Sequence, residues 1–270
     1  MIIDSHTHIF PDKVAAKALP KLASVIQLTP SMDGTIDGLR GSMEDAGIDV
    51  SVVLPTVTDP HQFDSILRFA SFINENFSQG DGPRLISYAG IHPESDNYKE
   101  QLTLFAREGF KGIKLHPNYQ AVYFDDIRYM RILDKASELG LAAVTHTGAD
   151  PYTPNQFFCS PDMILHVLDQ VAPEKLILAH LGSNENYDEA EKKLCGRNVY
   201  LDTAYSLMHM PEDQLVRMIR LHGADRILFG TDTPWTSQKE CVKKVQNLPG
   251  LSEKEKQQIL CENAQSILGL

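Results

Sequence analysis

Short runs of consecutive apolar residues alternate along the chain with longer stretches whose apolar positions recur at helical spacing. The run Val50-Ser51-Val52-Val53-Leu54, halted by Pro55, reads as a strand, and residues 63–77, apolar at 63, 66, 67, 69, 70, 73 and 77, read as an amphipathic helix. The same alternation continues to the end. Strands are predicted over 1–8, 50–54, 85–91, 110–115, 141–146, 175–180, 199–202 and 226–232, with helices over 35–46, 63–77, 98–107, 125–139, 161–171, 186–195 and 211–221 and two more over 237–247 and 252–268. Gly47 and Gly140 sit where two of these helices should stop. Residues 11–35 break the rhythm: Pro11, Pro20, Pro30 and Gly34 punctuate a stretch of weak helical character, which we read as a long loop with one or two helical turns, a lid over one mouth of the fold or a dimer contact.

The predicted strands are continuously apolar rather than alternating, which is the mark of a parallel sheet covered on both faces. Eight strand–helix units in one chain of 270 residues predict an α/β fold, a (β/α)8 TIM barrel of parallel strands with additional C-terminal helices, occupying residues 1–270 as a single domain. An open doubly wound sheet is the competing architecture, but no glycine-rich phosphate loop follows the first strand.

The polar residues that end these strands carry the chemistry. Asp4, His6 and His8 alternate in the first strand and so share a face, and two imidazoles two positions apart can grip one metal ion. Of ten histidines, His6, His8, His92, His116, His146 and His180 all lie at or just past the C-terminal end of a predicted strand, and Asp232 ends the eighth. In a barrel those ends form the one face where active sites sit. Single histidines at strand ends are usually structural; a set of them with a carboxylate is not. Imidazole and carboxylate donors suit Zn²⁺ first, and also Mn²⁺, Fe²⁺ and Co²⁺. His166 and His222 fall in helices and read as surface or packing residues; His209 lies past the seventh strand and could face the pocket.

Bulk properties narrow the classes. A net charge of −11 without any basic run argues against nucleic acid as a partner, and no apolar run is long enough for a membrane helix. Four scattered cysteines without a C-x-x-C pair, and histidines beginning at position 6, lead us to expect reduced thiols, no cleavable leader and a cytoplasmic protein.

The ordered set resembles a known family. His-x-His ending strand one, His146 ending strand five, His180 ending strand six and Asp232 ending strand eight are similar to the amidohydrolase superfamily of metal-dependent hydrolases. The stretches Asp4-Ser5-His6-Thr7-His8, Lys111-Gly112-Ile113-Lys114-Leu115-His116-Pro117, Ala179-His180-Leu181-Gly182 and Phe229-Gly230-Thr231-Asp232-Thr233-Pro234 resemble its "amidohydrolase 2" branch, and the likeness spans the whole chain. The resemblance implies that His6, His8, His146 and Asp232 bind a divalent metal, that Asp232 also moves the proton, and that His180 either binds a second metal or polarises the substrate. Lys114 has three readings: a carboxylated lysine bridging two metals, an ammonium that binds a substrate carboxylate, or a structural ion pair. One or two ions follow accordingly. His92, His116, Tyr119, Tyr205 and Trp235 are candidate pocket walls. Asp4, deeper on the first strand, is expected to orient the site rather than bind metal.

The expected activity is hydrolysis of an amide, ester or lactone in a small-molecule substrate by metal-activated water. The alternative is a metal-dependent non-oxidative decarboxylase or hydratase acting on a small unsaturated or aromatic carboxylic acid. A non-catalytic metal-binding protein is the third reading, disfavoured because the ligand set looks complete. The C-terminal helices and the 11–35 segment offer surfaces for a homodimer.

Overall fold

The computed structural model of the chain describes residues 1–270. Nine strands run β1 (Ile3–Thr7), β2 (Val50–Val53), β3 (Arg84–Ser87), β4 (Ala89–Gly90), β5 (Gly112–Leu115), β6 (Ala142–Thr145), β7 (Leu176–Leu178), β8 (Tyr200–Asp202) and β9 (Ile227–Leu228), with helices between them. The chain falls into two compact units. Unit 1 is made of Met1–Leu54, Ser71–Ser87 and Asp202–Leu270; unit 2 is made of Pro55–Ala70 and Tyr88–Leu201.

In unit 1, β1 pairs in parallel with β2, and β2 with β3. The other edge of β1 is satisfied from far along the sequence. The Ser5 N–H donates to the Phe229 carbonyl at 2.8 Å, the Asp232 N–H to the His6 carbonyl at 2.8 Å, and the His8 N–H to the Thr233 carbonyl at 2.7 Å. Every residue of β1 is buried, polar ones included. The helix Ile36–Ala46 follows the predicted signals: Thr35 caps it through its side chain, Leu39 and Met43 face inward, and Gly47 ends it with left-handed geometry at φ 70°.

In unit 2, β4 to β8 lie side by side in sequence order, all parallel. The register sets Gly112 to Leu115 against Ala142 to Thr145. The helices Ile127–Glu138 and Pro161–Gln170 begin at Asp126 and Ser160, whose side chains accept from backbone N–H groups of the first turn.

Two predicted elements differ. The 11–35 segment is no long loop: Asp12–Ile26 is a 15-residue helix that carries Pro20 inside it. Its pattern is faint because only Ala15 and Leu19 are fully buried, a stripe one side chain wide. The third predicted strand, 85–91, is broken at Tyr88. The side chain of Asn74 accepts from the Ser87 N–H at 2.7 Å and donates to the Ser87 carbonyl at 3.0 Å, which gives that residue's backbone groups partners outside the strand ladder. No helix is long and apolar enough to cross a membrane.

Gly148, just past β6, is required by close approach. A Cβ there would lie 2.2 Å from the Asn184 nitrogen and 2.5 Å from its carbonyl oxygen, and φ is +86°. We therefore expect Gly148→Ala to lower the unfolding free energy by about 3 kcal/mol, overpacking and left-handed strain together. Gly41→Ala, where an added Cβ meets nothing within 4 Å, serves as the control and should be neutral to stabilising. Urea unfolding of the two variants checks this.

Candidate functional site

The strand ends of unit 1 bring His6, His8 and Asp232 together. His8 Nε2 lies 3.1 Å from Asp232 Oδ1, His6 Nε2 lies 3.5 Å from the same oxygen, and the two Nε2 atoms are 3.2 Å apart. Each ring is fixed from behind. His6 Nδ1 is 2.8 Å from Asp202 Oδ2, and His8 Nδ1 is 3.0 Å from the Leu54 carbonyl oxygen. A carbonyl only accepts, and a carboxylate oxygen best accepts, so both rings carry their proton on Nδ1 and present a bare Nε2 forward.

Three acceptors therefore face one another: two lone-pair nitrogens and a carboxylate oxygen. The donor set, two imidazoles backed by acceptors plus one carboxylate, fits a divalent metal ion. Asp202 is in turn held by the Ala204 N–H, which donates to its Oδ1 at 3.1 Å. Gly230 is needed here for room, because a Cβ on it would come within 2.9 Å of His6 Cβ.

Asp4 lies behind this group and is fully buried. It accepts from the His6 N–H, the Thr231 N–H, the Thr231 hydroxyl at 2.6 Å and the Gln238 amide at 2.7 Å. Burial pushes its carboxyl up to about 7, against those hydrogen bonds, which pull it down. With four donors around it, its contacts are those of an orienting carboxylate, in line with the expectation from sequence.

Unit 2 holds a second group. His180 Nε2 lies 2.9 Å from His146 Nδ1, and His146 Nε2 lies 3.3 Å from the Ala149 carbonyl. Since that carbonyl can only accept, the His146 proton is on Nε2, and Nδ1 accepts from His180. His116 stacks on His146 at 4.3 Å between ring centres. Asp150 Oδ2 is 3.8 Å from Nε2 of both His116 and His146. Lys114 is buried in β5, two residues before His116. His92 is also buried. The Glu94 N–H donates to its Nδ1 at 3.2 Å, and burial holds its imidazole below the usual value, so the ring is neutral with its proton on Nε2.

Tyr205 and Trp235 are half-buried in unit 1. Tyr205 stacks on the exposed His209 at 3.9 Å, and the Trp235 N–H donates to the Asp232 carbonyl at 2.8 Å. His180, Tyr205 and Asp232 have φ of 56°, 59° and 66°, a region that non-glycine residues seldom occupy and that clusters at functional sites. Sequence reasoning passed over Asp202, Asp150 and Gln238. Asp202 was visible as an acid ending a strand, the same signal that marked Asp232. Asp150 lies in a connection and Gln238 in the first turn of a helix, and neither carried such a signal.

Against known proteins, the family model described as amidohydrolase matches residues 3–270. No curated protein matches the chain. Among solved structures, the chain is similar to an uncharacterised TIM-barrel protein from Bordetella bronchiseptica, with a TM-score of 0.77, 18% identity, and coverage of 99% of this chain and 98% of that one. It is also similar to a dihydroxybenzoic acid decarboxylase from Polaromonas sp. with bound manganese and the inhibitor 2-nitroresorcinol (TM-score 0.72, 19% identity, 100% and 97% covered). A third is a putative 2-pyrone-4,6-dicarboxylic acid hydrolase from Pseudomonas putida (TM-score 0.67, 18% identity, 99% and 97% covered). These likenesses establish the fold as that of the TIM barrel, as the strand–helix count predicts.

The backing of His6 yields a direct test. Asp202→Asn keeps the side chain's size but takes away the charge opposite Nδ1. We expect metal affinity to fall roughly 10–100-fold, measured by chelator competition, with the circular dichroism spectrum unchanged.

Proposed function

The chain belongs to the amidohydrolase family, whose model spans residues 3–270, and from that premise we propose that it is a metal-dependent hydrolase that cleaves an amide, ester or lactone bond of a small molecule. The observation that carries this reading is the convergence of His6 Nε2, His8 Nε2 and Asp232 Oδ1 within 3.5 Å of one another, a donor set that suits a divalent cation. His146 joins them as a ligand through the order of motifs along the chain. When bound there, a divalent ion would supply Lewis acidity and make a water molecule acidic enough to lose its proton near neutral pH.

The protein's own groups supply the rest. Asp232 takes the proton from the attacking water and passes it to the leaving group, a general acid–base role that commonly contributes about 10²–10⁴-fold. His180, whose Nε2 lies 2.9 Å from His146 Nδ1 in unit 2, is assigned to the substrate: with the His146 lone pair taken up as a ligand, the His180 Nε2–H is released to stabilise charge developing on the carbonyl oxygen. Lys114 and His116 are the groups we assign to an acidic substituent of the substrate, with carboxylation of Lys114 and a second ion as the competing role. Zn²⁺ suits these donors, and so does the manganese found in the decarboxylase of the same fold.

A second reading has its own support. The Polaromonas structure of this fold is a decarboxylase, and the same metal and cationic groups would hold a hydroxylated aromatic acid while carbon dioxide leaves. Product analysis separates the two. A panel of lactones, esters and amides of small carboxylic acids, followed by proton release, is expected to show turnover. Carbon dioxide release from hydroxybenzoates without any hydrolytic turnover would transfer the assignment to decarboxylation.

Metal removal and mutation follow from the roles. Dialysis against a chelator should abolish turnover, and Zn²⁺ or Mn²⁺ should restore it. Elemental analysis should give about one ion per chain with a free Lys114, or about two with a carboxylated one. Asp232→Asn should lower kcat by at least about 100-fold.

A further inference from the structure

One buried amide in unit 2 gathers several segments of chain. Gln120 Nε2 donates to the Ile91 carbonyl at 2.7 Å and to the Val57 carbonyl at 2.8 Å. Its Oε1 accepts from the His116 N–H at 3.0 Å and from the Tyr129 hydroxyl at 2.8 Å. Both donors and both acceptor positions are filled, and the partners settle which end of the amide is nitrogen. The Ile91 carbonyl belongs to the peptide that leads into His92, and the His116 N–H to the peptide that leads into His116. The ladder agrees: Gly90 pairs with Lys114, and His92 and His116 each stand two residues beyond that pair. Gln120 thus holds the exits of β4 and β5 side by side, at the strand ends where barrel enzymes work.

The His92 ring is locked from its own side. His92-Pro93-Glu94-Ser95 is a tight turn: the His92 carbonyl accepts from the Ser95 N–H at 3.0 Å, and Nδ1 accepts from the Glu94 N–H at 3.2 Å. Pro93, at the second position, favours the bend. With Nδ1 used as an acceptor, the ring proton sits on Nε2. The residue is only 3% exposed, yet Nε2 has no hydrogen-bond partner in the protein. That nitrogen is not sealed in either; it keeps contact with solvent. A fixed N–H that is unpaired and still reachable is placed to meet a ligand.

The surrounding charges choose the kind of acceptor. Glu94 and Asp59 are carboxylates that act on the ring, and the cation Arg128 is already engaged by both oxygens of Asp126 and by Glu94. An anion at Nε2 would meet two like charges, whereas an uncharged oxygen would not. An acidic substituent stays with Lys114 and His116, as assigned above.

We propose that His92 is a substrate-binding residue whose Nε2–H takes an uncharged carbonyl or hydroxyl oxygen of the substrate. The substrate class that follows is a small acid bearing such an oxygen besides its acidic group. This assignment rests on the reading above in one respect, that unit 2 receives part of a small oxygen-bearing molecule; it does not depend on which bond is broken.

His92→Asn separates the two duties of the ring. Asparagine Oδ1 replaces Nδ1 as acceptor for the Glu94 N–H, so the turn survives, but nothing replaces the Nε2–H. With whichever substrate of the panel above is turned over, KM should rise about 3–10-fold, the loss of one hydrogen bond to an uncharged oxygen, with kcat falling far less and the thermal midpoint unchanged. A wild-type KM in His92→Asn overturns the proposal. So does a rise beyond roughly 30-fold, which belongs to a lost bond to a charged oxygen. A second measurement needs no turnover. In the Zn²⁺-loaded chain labelled with ¹⁵N-histidine, the His92 ring signals, assigned by their loss in His92→Asn, should show a protonated Nε2. They should shift saturably with δ-valerolactam, an uncharged cyclic amide, and not with acetate. His92 signals that stay still with the lactam, or move as far with acetate, also overturn the proposal. The hydrolase reading fails separately: if no lactone, ester or amide is cleaved while the lactam still moves these signals, hydrolysis is lost and the His92 contact stands.

Discussion

Unit 1 depends on a repulsion held in place. His6 Nε2, His8 Nε2 and Asp232 Oδ1 stand 3.1 to 3.5 Å apart, all acceptors. Left to themselves the rings would turn away. Asp202 and the Leu54 carbonyl prevent it by occupying the two Nδ1 atoms, and the hydrogen bond from the Asp232 N–H to the His6 carbonyl prevents Asp232 from withdrawing. The folding free energy of the whole chain is spent in part on keeping these atoms in each other's way, which is how a protein stores affinity for a cation before the cation arrives.

The backbone shows the same preorganisation. His180, Tyr205 and Asp232 hold positive φ at strand ends, each at an expected cost on the order of 1–3 kcal/mol. A residue in that conformation turns the chain sharply out of the strand. None of the three is glycine, although glycine would relieve the strain, so the side chains themselves are what the positions require.

Much of this was legible in the amino-acid sequence. Continuous apolar strands separated by helices pointed to the parallel α/β fold, and His6, His8 and Asp232 stood out because strand ends are where polar residues have no structural reason to gather. What the pattern could not show were partners with no period of their own. Asp150 lies in a connection and Gln238 opens a helix, and their roles exist only once His116 and Asp4 are brought beside them. The helix Asp12–Ile26 was hidden for a different reason. Its interior proline argues against a helix, and Ala15 and Leu19 alone give too thin a stripe to outweigh it. The break at Tyr88 was invisible too, because it comes from the side chain of Asn74, 13 residues before Ser87.

The outer edge of β1 has a consequence for how the chain is made. Its partners, Phe229 to Thr233, lie more than 220 residues downstream; Asp4 and Thr231, 227 positions apart, are bonded twice. A ribosome releases β1 more than 220 residues before its neighbour. Over that interval the strand has an unpaired edge, a surface that other strands can join. The nascent protein is thus exposed to mispairing at the very segment that carries His6, and the cluster of His6, His8 and Asp232 cannot assemble until Asp232 has left the exit tunnel.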